Sequence, residues 1–241
     1  MTQLNAQQPL PMELPAVDVW LRERTARFNG YMVVAGVDEA GRGPLAGPVV
    51  AGAAILPLGV LIPGLNDSKL LTPDRRAELA IAVRRVALAI GIGEAGQEEI
   101  DEVNIAVAGR RALKRAVEAL PIEPDYVLVD GFAVPEMGIP HEALVKGDRR
   151  SASIMAGAII AKTTRDDFMR RAGERYPGYG FEVHFGYSTP THAQALRELG
   201  PCPLHRRSFN PVAVAEAVLT GDTDFLAAMN LGASETTTTL E

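Results

Sequence analysis

Short apolar segments, each bounded by glycine and proline, alternate along this chain with longer segments whose apolar residues recur at helical spacing. Four of the short segments have the length of strands, and they cover residues 31–37, 48–56, 126–129 and 141–145. An alternation of strand and helix patterns with short connections predicts an α/β domain in which helices pack on a sheet.

The longer segments predict helices. Residues 73–90 follow Thr72, a residue suited to capping a helix, and they begin with proline at the first helical position. The segment 151–172 is apolar in its first half and charged in its second, which predicts a buried beginning and a solvated end. The remaining predicted helices cover residues 17–28, 98–120, 191–199 and 211–229.

The composition is that of an ordinary globular protein. Of the 241 residues, 47% are hydrophobic and 22% are charged, which excludes a wholly disordered chain. The single cysteine, Cys202, excludes an internal disulfide framework and is typical of the cytosol. The charge-free run 43–66 has the length of a membrane span, but its four prolines and five glycines exclude a helix. Since no signal-peptide pattern is visible either, we expect a cytoplasmic protein that does not bind membranes.

Charge is unevenly distributed along the chain. The formal net charge of −6 argues at first against a polyanionic partner. Residues 211–241 contain five acidic residues and neither lysine nor arginine, whereas residues 146–175 contain eight basic residues and four acidic ones. The middle of the chain therefore has the charge to bind nucleic acid. An ordinary solvated helix face explains the same residues equally well.

Four carboxylates stand where predicted strands end, namely Asp38, Glu39, Asp130 and Asp148. Functional groups of α/β folds collect at strand ends, and Mg²⁺ or Mn²⁺ prefers such oxygen ligands, so the acids predict a metal site. The alternative is that each acid begins a turn or caps a helix. Adjacent strand residues point to opposite faces, so Asp38 and Glu39 can share a metal only if the strand breaks there. We expect residues 40–44 to provide that break.

A glycine-rich segment at residues 41–47, here called the glycine loop, follows the first two acids. Glycines let backbone N–H groups approach a phosphate or a sugar closely. The segment is not a P-loop, because no Gly-Lys-Ser/Thr follows, and its spacing differs from the dinucleotide-binding pattern. A hairpin turn explains these glycines about as well.

Longer motifs resemble those of a known family. The chain contains, in the order seen in bacterial ribonuclease HII, the segments VAGVDEAGRGPLAGPVVAGAAIL, LNDSK, YVLVDG, VKGD, IIAKTTRD and GYGFEVHFGY, over about residues 31–218. The resemblance implies an RNase H-like fold, a mixed sheet flanked by helices with a helical C-terminal part. We accordingly expect an N-terminal extension at 1–30, the catalytic domain at 31–219 and a partly disordered tail at 220–241.

The resemblance also implies roles for individual residues. The four acids would be the catalytic metal ligands. The loop of two glycines and an arginine would contact the 2′-OH of a ribonucleotide through its backbone, a tyrosine would stack on the sugar beside the junction, and two lysines would meet backbone phosphates. These substrate-binding residues are Gly41, Arg42, Gly43, Lys69, Lys146 and Tyr187.

The chain departs from the family's usual motifs at three positions. Leu70 and Phe185 stand where lysines are common, which removes two candidates for phosphate contact. Ala158 replaces a serine in the helix that follows Asp148, which changes the packing near that acid. No acid is lost, so the implied reaction is unaffected.

The family's function is endonucleolytic cleavage of RNA in RNA–DNA hybrids, including single ribonucleotides embedded in duplex DNA, with 5′-phosphate and 3′-OH ends. Two divalent ions about 4 Å apart can activate a water and stabilise the leaving 3′-oxygen in such a reaction. Hybrids and ribonucleotide-containing DNA are therefore the expected partners, and we expect a monomer. Two other classes of function stay open: a catalytically silent hybrid-binding protein, and a nucleotide or phosphate enzyme that uses the glycine loop.

Other reactive side chains have simpler interpretations. His184 fits a packed or surface histidine better than a group that assists near the substrate. Cys202 has no evident base partner and fits an inert thiol. The run His205-Arg206-Arg207 fits either a phosphate contact or a solvated charge run.

Overall fold

A computed structural model describes residues 18–65 and 71–229 of the protein. Its five strands form one mixed sheet in the order β3-β2-β1-β4-β5. Strand β2 is antiparallel to β1 and β3, whereas β4 is parallel to both β1 and β5. The carboxyl ends of β1, β4 and β5 therefore meet at one edge of the sheet. The strands are β1 Val34–Ala40, β2 Val49–Ile55, β3 Ala89–Ala95, β4 Tyr126–Asp130 and β5 His141–Leu144.

Helices cover both faces of this sheet, which confirms the predicted α/β class. Helix α4 packs on one face and α5 on the other, so β2 is buried along its whole length and shows no apolar–polar alternation. The helices are α1 Leu21–Phe28, α2 Pro73–Val86, α3 Gln97–Val103, α4 Ile105–Glu118, α5 Ala152–Arg175, α6 Phe181–His184, α7 Pro190–Leu199, α8 Asn210–Thr220 and α9 Thr223–Ala228. Among the helices of the described ranges, none is long and apolar enough to cross a membrane.

The backbone of helix α5 contacts the backbone of the sheet directly, because glycines line both sides of the contact. A Cβ atom on Gly36 of β1 would lie 2.2 Å from the backbone nitrogen of Ile154. One on Gly52 of β2 would lie 2.4 Å from the carbonyl oxygen of Gly157, and one on Gly157 would lie 2.5 Å from the oxygen of Gly52. Any side chain at these positions would push the helix off the sheet.

Strand β3 was missing from the sequence prediction, which extended a helix to residue 90. The helix ends at Val86, and β3 follows as an edge strand with alternating buried and exposed residues. Its inward positions include Gly91 and Gly93, residues that are uncommon in strands. Cβ atoms there would lie 2.0 Å and 2.3 Å from backbone atoms of Ala116, so the close approach of α4 requires glycine.

Two predicted helices are each divided in the structure. The segment 98–120 contains α3 and α4, separated at Asn104, whose φ of 68° breaks the helix and whose side chain caps α4. The segment 211–229 contains α8 and α9, separated at Gly221 with a φ of 71°. Asparagine and glycine are the residues that adopt this left-handed conformation most readily.

Helix α1 belongs to the segment predicted to be an N-terminal extension, and it contacts the beginning of α5. The Glu23 carboxylate accepts hydrogen bonds from Ser151 Oγ at 2.7 Å and from the Ser153 N–H at 3.0 Å. The domain limits at residues 30 and 219 stay predictions. Most of the predicted tail, the part at 230–241, lies outside the described residues, as do residues 1–17.

A pair of glycine substitutions tests the contact of α5 with the sheet. Gly157→Ala should lower the free energy of unfolding by about 1–3 kcal/mol, because the new methyl group overlaps the Gly52 carbonyl. Gly109→Ala in α4 is the matched control: its Cβ would meet no described atom within 4 Å, so higher helix propensity should raise stability by up to about 1 kcal/mol. Urea denaturation measures both, and equal effects would contradict the contact.

Candidate active site

The parallel strands bring three carboxylates together at one edge of the sheet. Asp38 lies in β1, Asp130 is the last residue of β4, and Asp148 lies in the short 3₁₀ turn Gly147–Arg149 that follows β5. One oxygen from each lies within 4.8 Å of the other two, and Asp38 and Asp148 are each only 5% exposed. Carboxylates at this spacing can share a divalent cation.

Backbone N–H groups of the turn after β5 orient the central carboxylate. Oδ1 of Asp130 accepts hydrogen bonds from the N–H of Gly147 at 2.6 Å and from the N–H of Asp148 at 3.3 Å. These bonds fix Asp130 relative to Asp148 although the two residues come from different segments.

Glu39, the fourth predicted ligand, stands outside this group of three. Strand β1 continues through Ala40 and breaks at Gly41, within the range 40–44 predicted for the break, so regular strand geometry still holds at both acids. Asp38 therefore points to the α5 face of the sheet, as Gly36 does, whereas Glu39 points to the α4 face.

The surroundings of Glu39 nevertheless fit a cation. Its Oε1 accepts a hydrogen bond from Arg42 Nη1 at 3.3 Å, while its buried Oε2 has no hydrogen-bond partner among the described residues. Burial raises the pKa of Glu39; Arg42 opposes this effect and Asp130 adds to it. A divalent metal at this edge would stabilise the charged form of all these oxygens.

A fully buried arginine holds the glycine loop from behind. Arg206 donates from Nη2 to the Gly41 oxygen at 2.6 Å, from Nη1 to the Arg42 oxygen at 2.9 Å and from Nε to the Gly47 oxygen at 2.9 Å. Burial lowers the pKa of Arg206 to about 9. Three carbonyl dipoles solvate its guanidinium, and the charge of Asp101 also favours the protonated form.

A second buried arginine joins the loop to the C-terminal part. Arg165 of α5 donates to the carbonyl oxygens of Pro48 at 3.0 Å, Ala46 at 3.1 Å and Phe185 at 3.1 Å. Phe185 belongs to a tight turn at residues 184–187, here called the Tyr187 turn. The glycine loop and the Tyr187 turn are thus anchored on one side chain.

The arginine contacts determine which side of the glycine loop faces outward. In a trans peptide the N–H points opposite to the carbonyl that precedes it, and the described residues contain no cis peptide. Because the carbonyls of Gly41 and Arg42 point at Arg206, the N–H groups of Arg42 and Gly43 point away from it. A Cβ on Gly43 would meet no described atom within 4 Å. The loop therefore presents main-chain donors to an incoming polar group.

The exposed ring of Tyr187 lies beside this loop. The Leu45 N–H donates to the Gly186 oxygen at 2.8 Å, and residue Tyr187 is 42% exposed. Lys162 Nζ lies 5.7 Å from the centre of that ring. The sequence interpretation missed Lys162 and Arg165, whose spacing of three in a helix was the signal that they share a face.

The remaining predicted substrate contacts differ in how far the structure describes them. Lys146 is exposed and has a φ of 57°, two residues before Asp148. Lys69 and the departure at Leu70 fall at residues 66–70, outside the described residues. The departure at Phe185 places an aromatic ring 5.2 Å from Lys162 Nζ. The departure at Ala158 is buried within α5.

Both interpretations of the run 205–207 are wrong for Arg206, whose side chain is 0% exposed. Arg207 is 48% exposed at its side chain and pairs with Glu216. His184 is buried, which confirms a packed histidine. Burial raises the pKa of the Cys202 thiol, as an inert cysteine requires.

Two neighbouring arginines provide a matched test of how Arg206 holds the glycine loop. Arg206→Lys should lower the free energy of unfolding by about 2–5 kcal/mol, because lysine cannot reach three divergent carbonyls and leaves buried acceptors unsatisfied. Arg207→Lys should change it by less than about 0.5 kcal/mol, since its ion pair is exposed. Guanidinium denaturation measures both values. Equal stability of the two variants would assign Arg206 to the surface.

Comparisons with known proteins agree with this geometry. A family model for ribonuclease HII matches residues 35–212. Ribonuclease HII of Myxococcus xanthus is 52% identical over 194 residues, which are 80% of this chain and 66% of that protein. Ribonuclease HII of Geobacter sulfurreducens is 49% identical over 198 residues, which are 82% of this chain and 91% of that protein.

A solved structure is similar over nearly its whole length. The crystal structure of ribonuclease H2 from Pyrococcus horikoshii superposes with a TM-score of 0.68 and 28% sequence identity. The match covers 78% of this chain and 99% of that one. This likeness confirms the RNase H-like arrangement of sheet and helices.

Proposed function

The chain belongs to the ribonuclease HII family and is an endoribonuclease, and we propose that it cleaves the RNA strand of RNA–DNA hybrids. Its substrates include single ribonucleotides embedded in duplex DNA, and the products carry 5′-phosphate and 3′-OH ends. The observation that carries this proposal is the group of Asp38, Asp130 and Asp148 within 4.8 Å, beside the end of β1, which leads into the glycine loop.

The acidic residues would hold Mg²⁺ or Mn²⁺, with two ions when substrate is bound. One set of oxygens comes from the three carboxylates Asp38, Asp130 and Asp148. The buried Oε2 of Glu39 is a further candidate ligand. Divalent ions held there would supply Lewis-acid chemistry, lowering the pKa of an attacking water and stabilising charge on the leaving 3′-oxygen. The carboxylates themselves do not attack the phosphodiester; their role is to hold charge at a rigid edge of the sheet.

The glycine loop and the Tyr187 turn select the substrate. The outward N–H groups of Arg42 and Gly43 can donate to a sugar 2′-OH, the group that distinguishes RNA from DNA. Because these donors contact the sugar and not the bases, recognition does not depend on base sequence. The exposed Tyr187 ring offers a flat face for stacking, and Lys146 and Lys69 contact backbone phosphates.

The protein acts as a monomer in the cytoplasm in this proposal. Its catalytic domain covers residues 31–219, between an N-terminal extension at 1–30 and a tail at 220–241. A single cysteine, which cannot form an internal disulfide, is compatible with a reducing compartment.

Removing one central carboxylate tests the metal site. Asp130→Asn should lower cleavage of a DNA duplex with one ribonucleotide by roughly 100-fold or more, while the protein keeps its melting temperature. Asp224→Asn, an exposed acid of α9, is the matched control and should leave the rate unchanged. Near-normal turnover of Asp130→Asn at saturating Mn²⁺ would overturn the assignment.

The same assay separates the two other classes of function. Wild-type protein should cleave with Mg²⁺ or Mn²⁺ and stop when EDTA is added. A silent hybrid-binding protein would bind the duplex with no cleavage under either condition. A nucleotide enzyme would be protected against thermal unfolding by a mononucleotide and not by the hybrid.

Tyr187 should affect substrate choice more than chemistry. Tyr187→Ala should lower cleavage at an isolated ribonucleotide by roughly ten- to a hundredfold, because base or sugar stacking is worth about 1–3 kcal/mol. The loss should be smaller on a continuous hybrid, where many registers are available, and Tyr187→Phe should keep most of the activity. Calorimetric titration with Mn²⁺ should give an unchanged affinity. Equal losses on both substrates would contradict a junction-reading role.

A further inference from the structure

Three buried histidines, one in the Tyr187 turn and two packed beneath it, play no part in the proposed chemistry. They pack among aromatic rings in the C-terminal part of the fold, with Phe181 in contact with all three. Buried polar rings need hydrogen-bond partners, so the partners of each nitrogen show what the cluster does. The three are His184, His192 and His205.

The hydrogen bonds assign one tautomer to each of the two rings His192 and His205. Nδ1 of His205 lies 3.3 Å from the Cys202 carbonyl oxygen and 2.9 Å from the Cys202 nitrogen. Because the fixed N–H of Cys202 is directed at Nδ1 in the shorter contact, Nδ1 accepts and the proton of His205 is on Nε2. That nitrogen lies 3.0 Å from Nε2 of His192, which must therefore accept. Nδ1 of His192 then carries the proton and donates to the Tyr187 carbonyl oxygen at 2.9 Å.

Both rings are neutral in this chain of hydrogen bonds. Burial lowers the pKa of His192 to about 4 and that of His205 to about 3. The direction of the chain is therefore set by the fixed N–H of Cys202 at one end and the fixed carbonyl of Tyr187 at the other. Near neutral pH no protonation event reverses it.

Packing also fixes the plane of the His192 ring. The ring stacks on His184 with 4.5 Å between centroids and an interplanar angle of 18°. The ring of Phe181 meets His192 edge-on at 5.6 Å. The Nδ1–H therefore has one direction, and that direction is toward the Tyr187 turn.

Histidines satisfy both backbone polar groups of Tyr187. Its N–H donates to the carbonyl oxygen of His184 at 2.9 Å, and its own carbonyl accepts from His192. The backbone is thus held on both sides while the ring stays exposed. Holding the backbone lowers the conformational entropy that stacking would otherwise cost.

We propose that His192 is a positioning residue for Tyr187, holding its carbonyl through Nδ1–H, and that His205 selects the tautomer that makes this possible. The inference rests on the proposed role of Tyr187 at the substrate. It assigns to two buried histidines an effect on substrate discrimination, with no contact to the metal or the scissile phosphate.

Asparagine and glutamine separate the two nitrogens of each ring, because an asparagine amide reaches the place of Nδ1 and a glutamine amide that of Nε2. His192→Asn keeps a donor to Tyr187 and should cleave an isolated ribonucleotide like wild type. His192→Gln loses that donor and should lower kcat/KM on this substrate by about three- to tenfold. At His205 the expected outcomes for asparagine and glutamine are exchanged. His205→Gln keeps the donor to His192 and should cleave like wild type, whereas His205→Asn loses that donor and should lower kcat/KM.

The substrate and a double variant distinguish positioning from a general loss of stability. The His192→Gln effect should be smaller on a continuous hybrid, and it should vanish when Tyr187→Ala is already present. His141→Gln is the control: in another part of the fold, His141 Nε2 accepts from the Val134 N–H at 3.3 Å, so its Nδ1 donates to the Ile139 carbonyl oxygen at 3.0 Å. Equal losses on both substrates, or additive losses in the double variant, would overturn the proposal.

Nitrogen-15 NMR of the full-length wild-type protein tests the tautomers without any activity measurement. The spectrum should show a protonated Nδ1 on His192 and a protonated Nε2 on His205. The opposite tautomer on His192 would overturn the inference even if every variant failed to fold. If the Tyr187→Ala variant cleaves like wild type, the proposed role of Tyr187 is refuted. If Tyr187→Ala lowers cleavage and His192→Gln does not, only the positioning role of His192 is refuted.

Discussion

Direct contact between the backbone of α5 and the sheet, through Gly36, Gly52 and Gly157, sets the geometry of both halves of the site. At its beginning the helix follows the turn that carries Asp148, beside the ends of β1 and β4. Three turns further along, it presents Arg165 to the glycine loop. Because a closely packed interface transmits displacement, a shift of α5 would move the carboxylates and the loop together.

Two buried guanidinium groups are stabilised by backbone carbonyl oxygens. Arg165 and Arg206 are fully buried, and six carbonyl oxygens surround them. Arginine suits this task because its planar fork reaches several divergent acceptors at once. Two positive charges consequently lie directly behind a loop proposed to meet a polyanion, where they favour binding without touching it. The proposed chemistry at the sheet edge and the proposed recognition at the glycine loop thus depend on different groups.

The sequence predicted the acids better than their arrangement. Asp130 and Asp148 could be placed because functional groups of α/β folds collect where strands end, and both acids follow apolar strand segments in the sequence. Glu39 could not, since its position depends on whether pairing with β2 continues past Asp38, and β2 continues it to Ala40. Strand β3 was missed for a related reason: its glycines are explained by the approach of α4, a contact between separate segments.

By itself the sequence determined the features that depend on neighbours along the chain: helix periodicity, the Thr72 cap and the carboxylates at strand ends. Only the tertiary structure decided which cations are structural. Arg206 and Arg207 are adjacent and chemically identical, yet one is buried against carbonyls some 160 residues away and the other pairs with Glu216 in solvent. The physical reason is that burial and hydrogen-bond partners come from distant segments, which local periodicity cannot represent.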